Sequence, residues 1–437
     1  MLFPILVFLV VYLFISTEWI DKTVAAVVGG GLMIGFHLVG YEEALHAVDL
    51  NVLFLLIGMM MVVNVLTETG VFEWLAIKLA RAAKGNGMRI AVLFMLLTAV
   101  LSAFLDNVTT VILMAPITIL LTQLLEIPAA PILIMEAIFS NVGGTATLVG
   151  DPPNILIGSQ AHLSFNDFIL NLAPPVLASM AVLLGIMWLL FRKRMDTTPE
   201  TRRRIECSRP EKAILEPDVL KRALAVFGLI LGGFFGGRLL GVEPGIIALV
   251  GGMTMVAVCK KSLHRSLAAV EWDTILFFAG LFIMVATLEK HGVFVALGQA
   301  ILSACHGDLM LTAFAILWVS ALASTIVNNI PLVMAMIPLV AAVVAKAHGL
   351  DPETISSARL LAMKEAEPLL WSLALGACLG GNGTLVGASA NVVIAQVANR
   401  NGCPISFGSF SRYGFPFMLL TLLVSSLYVY LRYFAGA

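Results

Sequence analysis

The feature that most constrains this chain is that it is written twice. Asp49-Leu50-Asn51-Val52-Leu53-Phe54, followed by Gly58 and Gly70-Val71-Phe72, is matched by Glu271-Trp272-Asp273-Thr274-Ile275-Leu276, Gly280 and Gly292-Val293-Phe294 at a constant offset of 222. Asn107, Met114 and Pro116 map by the same 222 onto Asn329, Met336 and Pro338. At an offset of 237, Gly143-Gly144-Thr145-Ala146-Thr147-Leu148-Val149-Gly150 through Asn154 matches Gly380-Gly381-Asn382-Gly383-Thr384-Leu385-Val386-Gly387 through Asn391. Matched blocks in one order make the two halves structural units of the same kind.

Each half must cross a bilayer several times. Hydrophobic residues make up 60% of the chain and charged ones 12%, with a mean hydropathy of +0.99. Soluble domains carry about 45–50% apolar and about 25% charged residues, which excludes a soluble domain, a disordered chain and a nucleic-acid binder. The 26 Lys and Arg balance 27 Asp and Glu, so net charge is silent about partners. A helix needs about 20 apolar residues to cross the hydrocarbon layer. Ten segments read as spans: 2–16, 23–40, 50–67, 129–157, 167–191, 222–239, 244–259, 272–288, 362–396 and 412–433. The first has no basic segment before it and a second apolar segment soon after, which reads as a membrane helix rather than a cleaved signal. Residues 91–105 and 111–125 are short apolar arms joined by Asp106-Asn107-Val108-Thr109-Thr110, and 309–327 and 330–345 flank Asn328-Asn329 in the same way. Such arms predict re-entrant helical hairpins, with pairs of ordinary short helices as the alternative. The amphipathic stretches 71–84 and 291–304 precede them and are expected at the interface.

The expected fold is all-α and polytopic: two repeats of five transmembrane helices, each with a re-entrant hairpin and a broken helix. The first repeat is 1–191, a basic linker 192–221 follows, and the second is 222–437. Five is odd, so the second repeat starts on the opposite face and the repeats are inverted; counting the hairpins as full crossings gives the same result. Ten of the 26 basic residues lie in Arg192–Arg222, which the positive-inside rule assigns to the cytoplasm. With that face set, 20 of the 26 fall inside. A cytoplasmic (inner) membrane protein with both termini non-cytoplasmic is expected, the first hairpin opening inward and the second outward.

Between Ile127 and Gln160 a span is interrupted by Asn141-Val142-Gly143-Gly144-Thr145-Ala146-Thr147 and then by Asp151-Pro152-Pro153-Asn154. Glycine lowers helix stability by about 1 kcal/mol and interior proline by about 3, so the helix should unwind. The second copy, Gly380-Gly381-Asn382-Gly383-Thr384 to Asn391, breaks on glycine alone. Backbone freed inside a bilayer must face protein or a wet cavity, and paired interruptions in two inverted halves point to a transporter binding site.

The candidate substrate ligands are Asn107, Thr109, Thr110, Asn141, Gly143, Gly144, Thr145 and Thr147 in the first repeat and Asn328, Asn329, Asn382, Gly383 and Thr384 in the second. Pro152, Pro153, Asn154 and Asn391 shape the breaks. Residues 90–125, 129–160, 320–345 and 365–399 contain no Arg and no Lys, which suits a small neutral solute or a cation better than a dianion. Asp106 and Asp151 are the candidate proton-coupling acids, because an ionisable group inside the membrane is costly. The competing reading makes Asp106 a helix cap and Asp151 a brace for unwound backbone. Glu136 is a third candidate; Glu68 and Glu289 lie near span ends. Five cysteines, 207, 259, 305, 378 and 403, form no CxxC pair and read as packing thiols. Neither a metal site nor a cofactor is expected, and no Walker A, HExxH or G-x-S-x-G motif suggests an enzyme.

The runs DNVTT, SNVGGTATLVGDPPN and VNNIP, with the repeat covering nearly the whole chain, resemble the ion transporter superfamily, in the branch of bacterial arsenite permeases, NhaD-type sodium/proton antiporters and the melanosomal P protein. The DPPN signature is most similar to arsenite efflux permeases. The resemblance implies a scaffold and a transport domain, with two hairpins and two broken helices around one substrate site and alternating access by an elevator or related motion. Dicarboxylate members carry Ser-Asn-Thr at the tips; the Asp106-Asn107-Val108-Thr109 and Asn328-Asn329-Ile330-Pro331 of this chain depart from that and argue against dicarboxylate or citrate. The expected function is proton-coupled export of arsenite, with antimonite as a second substrate and the proton gradient as energy source. The alternatives are sodium/proton antiport and transport of another small inorganic or organic anion. Expected partners are arsenite or antimonite, protons and the lipid bilayer, with no nucleic acid. A separate ATPase subunit docking on the basic linker and a homodimer are compatible with the sequence.

Overall fold

The computed structural model describes residues 2–17, 19–192, 195, 197–206, 208–350 and 355–436. These form 22 α-helices and no strand. The first half comprises α1 (Leu2–Thr17), α2 (Lys22–Gly35), α3 (Tyr41–Ala47), α4 (Leu50–Glu68), α5 (Val71–Ala82), α6 (Gly87–Ser102), α7 (Asn107–Leu125), α8 (Ala129–Gly144), α9 (Pro152–Gln160) and α10 (Phe165–Phe191). The short α11 (Pro199–Glu206) lies in the connection. The second half comprises α12 (Pro217–Leu240), α13 (Pro244–Val258), α14 (Leu263–Ala268), α15 (Trp272–Lys290), α16 (Val293–Ala304), α17 (Leu309–Ser324), α18 (Asn329–Ala347), α19 (Ser357–Leu361), α20 (Ala366–Gly380), α21 (Ser389–Arg400) and α22 (Phe407–Tyr433).

Helix starts keep the spacing of the motifs. Each helix from α2 to α7 begins 222 residues before its counterpart among α13 to α18. The offset is 237 for α8 with α20 and α9 with α21, and 242 for α10 with α22. Caps recur with the helices. Ser164 and Ser406 form capping boxes at the starts of α10 and α22, which satisfies otherwise orphaned amides.

The halves interlock. α4 of the first packs along α13 of the second, and α15 packs along α2. Glycine makes both contacts close: a Cβ on Gly58 would lie 2.2 Å from the Ala248 carbonyl carbon, and one on Gly280 would lie 2.5 Å from that of Ala26. Small residues that admit another backbone are the usual means of holding membrane helices together, since lipid offers no hydrophobic drive.

Two expectations need correction. The hairpin joints are shorter than the polar segments suggested. Asp106 accepts the amide of Thr109 at 2.9 Å, so Asn107 to Thr110 already form the first turn of α7; Asn328 starts α18 likewise. Both second arms are therefore 19 residues long rather than 15 and 16, about 28 Å at 1.5 Å per residue. By length and composition α7 and α18 qualify as spans along with α4, α10, α12, α15 and α22, and a further pair, α16 and α17, is bent by 117°. Three other expected spans are shorter than counted, since α2, α8 and α13 hold 14–16 residues where caps and breaks trim the apolar runs, whereas α1, at 16 residues, matches its expected 2–16 to within one residue. The two interrupted spans are broken as expected, α8 from α9 and α20 from α21.

Candidate functional site

A cavity of about 340 Å³ lies where the hairpin tips meet the broken helices. Asp106, Asn107, Asp151 and Pro152 line it from the first half, and Asn329 and Ser389 from the second. These residues sit at or beside the N-terminal ends of α7, α9, α18 and α21, where free amides and the helix dipole present positive potential.

Asp151 is the buried acid of the site, 1% exposed. It precedes α9 yet makes no side-chain cap, so the carboxyl faces inward. Its Oδ1 accepts from Nδ2 of Asn107 and from Nδ2 of Asn329, each at 3.4 Å. Its Oδ2 meets no nitrogen or hydroxyl donor among the described residues, and the Cys378 thiol lies beside the carboxyl. Asp106 differs. It caps α7 through the Thr109 amide, and the Thr109 hydroxyl donates to its other oxygen. Its equivalent in the second repeat is the neutral cap Asn328, whose Nδ2 donates to Ser389 Oγ at 3.1 Å.

Behind the cavity an amide network joins the repeats. Asn107 donates to Asn141 Oδ1 at 3.1 Å, and Asn141 donates to Asn382 Oδ1 at 2.9 Å and Asn391 Oδ1 at 3.0 Å. Asn154 holds its own unwound loop through the carbonyls of Thr145 and Thr147, at 3.0 and 2.8 Å. Asn391 holds the other through Gly381 and Thr384, at 2.8 and 2.9 Å. The breaks are thereby tied in place, as buried polar backbone requires.

Four of the hydroxyls expected to hold substrate donate to backbone carbonyls. Thr110 donates to the Asp106 carbonyl at 2.9 Å and Thr145 to that of Asn141 at 2.7 Å. Thr147 donates to the Ala103 carbonyl and Thr384 to that of Thr325, locking each break onto its own hairpin. Gly143 and Gly144 lie in packing contacts, where a Cβ would come within 2.3 Å of the Ala99 oxygen and 2.5 Å of the Gly150 oxygen. Gly383 is closed off by Thr325 and Met418. Pro153 is buried in the first turn of α9. The structure thus brings Asp106, Asn107, Asp151, Pro152 and Asn329 to the cavity wall, with Asn328 in an adjoining cavity; the other candidates do not line it. Of the thiols, Cys259 and Cys378 are buried and Cys305 and Cys403 partly so; Cys207 lies outside the described residues.

A family profile described as "Citrate transporter" matches residues 12–362. The chain belongs to the citrate transporter family. Its relatives include an uncharacterized transporter of Mycobacterium tuberculosis strain H37Rv, 40% identical over 98% of this chain and 97% of the relative. The P protein of Homo sapiens is 32% identical over 96% of this chain, which spans 58% of that protein. Two solved structures share the fold: the YdaH transporter of Alcanivorax borkumensis, with TM-score 0.56 and 16% identity over 92% of this chain and 86% of that one, and MtrF of Neisseria gonorrhoeae, with TM-score 0.55 and 12% identity over 92% and 84%. This citrate-transporter-family chain is a multi-pass membrane transporter.

Sequence reasoning missed what other helices bring to the family member's cavity. Lys22, Glu271, Asp273 and Thr274 are the further polar residues of the lining. The absence of Arg and Lys from the motif segments therefore does not leave the site without a cation, because Lys22 enters from the start of α2. Glu271 and Asp273 belong to a repeat block read only for architecture. Of their first-repeat equivalents, Asp49 caps α4 and accepts from Gln160, while Asn51 donates to Ser159 and accepts from the Gly245 amide.

Proposed function

We propose that this chain is a proton-coupled secondary transporter in which Asp151 carries the proton, and that its cargo is a small uncharged oxyacid of the arsenous or antimonous type. The observation that carries the reading is the setting of Asp151: a buried carboxyl in a cavity wall, with amide donors on Oδ1 and no nitrogen or hydroxyl donor on Oδ2 among the described residues. An ionised Oδ2 accepts a hydrogen bond from a hydroxyl of arsenous acid, while Asn107 and Asn329 steady Oδ1. A proton arriving at the carboxyl takes that acceptor away, so proton and cargo exclude each other. Mutual exclusion on one group is what antiport requires.

The charge of the cavity supports a neutral cargo. Asp106, Asp151, Glu271 and Asp273 outnumber Lys22, so a free citrate trianion meets net repulsion. A citrate-type permease is the second reading, supported by the family description and by Lys22. Under it the anion enters partly protonated or with a cation. We assign the linker 192–221 to the cytoplasm and both termini to the opposite side. Lys261 bonds Glu216 at the end of the linker and precedes the start of α15 by only 11 residues, which supports placing Glu271 and Asp273 on the linker's face.

The test is uptake into vesicles holding the purified protein, with arsenite, citrate with and without magnesium, and sodium offered in turn under an imposed pH gradient. Arsenite movement that consumes the gradient and is lost in Asp151→Asn supports the reading. Citrate movement, or sodium alone dissipating the gradient, replaces the cargo, and arsenite transport indifferent to the gradient removes the coupling.

A further inference from the structure

Glu136 lies on α8 five residues before Asn141, about 7.5 Å along the helix axis at 1.5 Å per residue. It is fully buried. Its Oε1 is 2.5 Å from the Thr118 hydroxyl of α7, and its Oε2 has no hydrogen-bond partner among the described residues. Among the described residues, Thr118 is the polar side chain that bonds to it, and no ion pair reaches it. An ionised carboxylate held this way would leave a buried charge uncompensated, which costs several kcal/mol or more, on the order of the penalties for isolated buried ions.

The other repeat shows that the fold does not need a polar pair here. The equivalents of Thr118 and Glu136 are Val340 and Leu373, both fully buried. Two apolar side chains fill in one half the space that a hydroxyl and a carboxyl fill in the other. Replacing buried polar pairs by apolar ones is commonly neutral or stabilising, so the acid is retained against packing. It also has a polar continuation. One turn further along α8, Ser140 donates to the Asn107 carbonyl at 2.9 Å, and Asn107 is a donor to Asp151.

We infer that Glu136 is a second proton-binding carboxyl of the transporter, held as the neutral acid in the state seen here and exchanging its proton during the cycle, so that two protons rather than one are bound per cargo. The step is a proton binding to or leaving a carboxylate oxygen, with no other bond made or broken. The inference rests on the proton-coupled reading for its stoichiometry, while the occupancy of Glu136 by a proton stands on the geometry alone.

The decisive comparison is the double variant Thr118→Val with Glu136→Leu, which installs the pair that the second repeat already packs, beside Glu136→Gln. Protons and cargo are counted together in vesicles, and infrared difference spectra of the wild type are recorded with and without arsenite. The expected result is a loss of one proton per cargo in both variants, together with a protonated-carboxyl stretching band that shifts on adding cargo and vanishes in Glu136→Gln. An unchanged proton-to-cargo ratio in a coupled protein overturns this inference and leaves the coupling at Asp151 standing. A wild type that moves no protons removes the coupled reading instead, and the infrared band then decides Glu136 by itself: a band absent, or indifferent to Glu136→Gln, overturns its protonation.

Discussion

Asn329 opens α18 and donates to Asp151 Oδ1 at 3.4 Å; Asn107 opens α7, 222 positions earlier, and donates to the same oxygen at the same distance. One acid of the first repeat is thus held between equivalent amides of both. Its own equivalent, Ala388, carries no charge, so this position holds an acid in one repeat and none in the other.

That arrangement predicts that Asn107→Ala and Asn329→Ala both weaken transport, Asn107→Ala by at least as much because it also loses the bond to Asn141. Each removes one hydrogen bond to a charged group, worth about 1.5–3 kcal/mol. Coupled export should fall roughly 10- to 100-fold in each, and the double variant should lose less than the product of the two because both amides serve one oxygen. Vesicle transport rates for the three variants check this.

Lys22 separates the cargo classes. A carboxylate or other anion bound against it would lose about 1.5–3 kcal/mol on Lys22→Gln, roughly tenfold or more in affinity. A neutral oxyacid should lose markedly less, and we expect the smaller change for arsenite. Competition binding of arsenite and of magnesium citrate to the purified variant measures both.

The contacts between the halves predict a steric effect. Gly58→Val places branched carbon against the backbone of α13, where even a Cβ would come within 2.2 Å of Ala248. Overpacking of this kind costs about 1–3 kcal/mol, and backbone on the receiving side leaves little room to relax. Gly280→Val should behave in the same way against Ala26. A lower unfolding temperature in detergent is expected for both, whereas Gly228→Val, on an open face of α12, should be close to neutral.

Lys261 ties three segments on the linker's face. It reaches Glu68 at the end of α4 at 2.9 Å and Glu216 before α12 at 2.8 Å. Both carboxylates are more than a third exposed, so solvent screens the pair and Lys261→Met should cost no more than about 1 kcal/mol. The loss should shrink as salt is raised, read as convergence of wild-type and variant unfolding temperatures.

The sequence alone determined the architecture, because hydrophobic length, helix-breaking residues and self-similarity are local properties. Gly143-Gly144 and Pro152-Pro153 break a span wherever it sits, and the offsets of 222 and 237 pair the elements before any contact is known. It also picked out Asp151, Asn107 and Asn329, since polar groups in apolar surroundings are conspicuous. What only the tertiary structure decided is how each polar group is spent. Thr110, Thr145, Thr147 and Thr384 looked like ligands, yet each hydroxyl has a carbonyl within reach, and dry surroundings make that bond worth more than an open one. Lys22 and Glu271 stood outside the candidate ligands, yet the packing of α2 along α15 carries both into the cavity wall. Composition shows what a segment can offer, but which neighbour accepts the offer depends on the crossing of helices that are hundreds of residues apart in the chain.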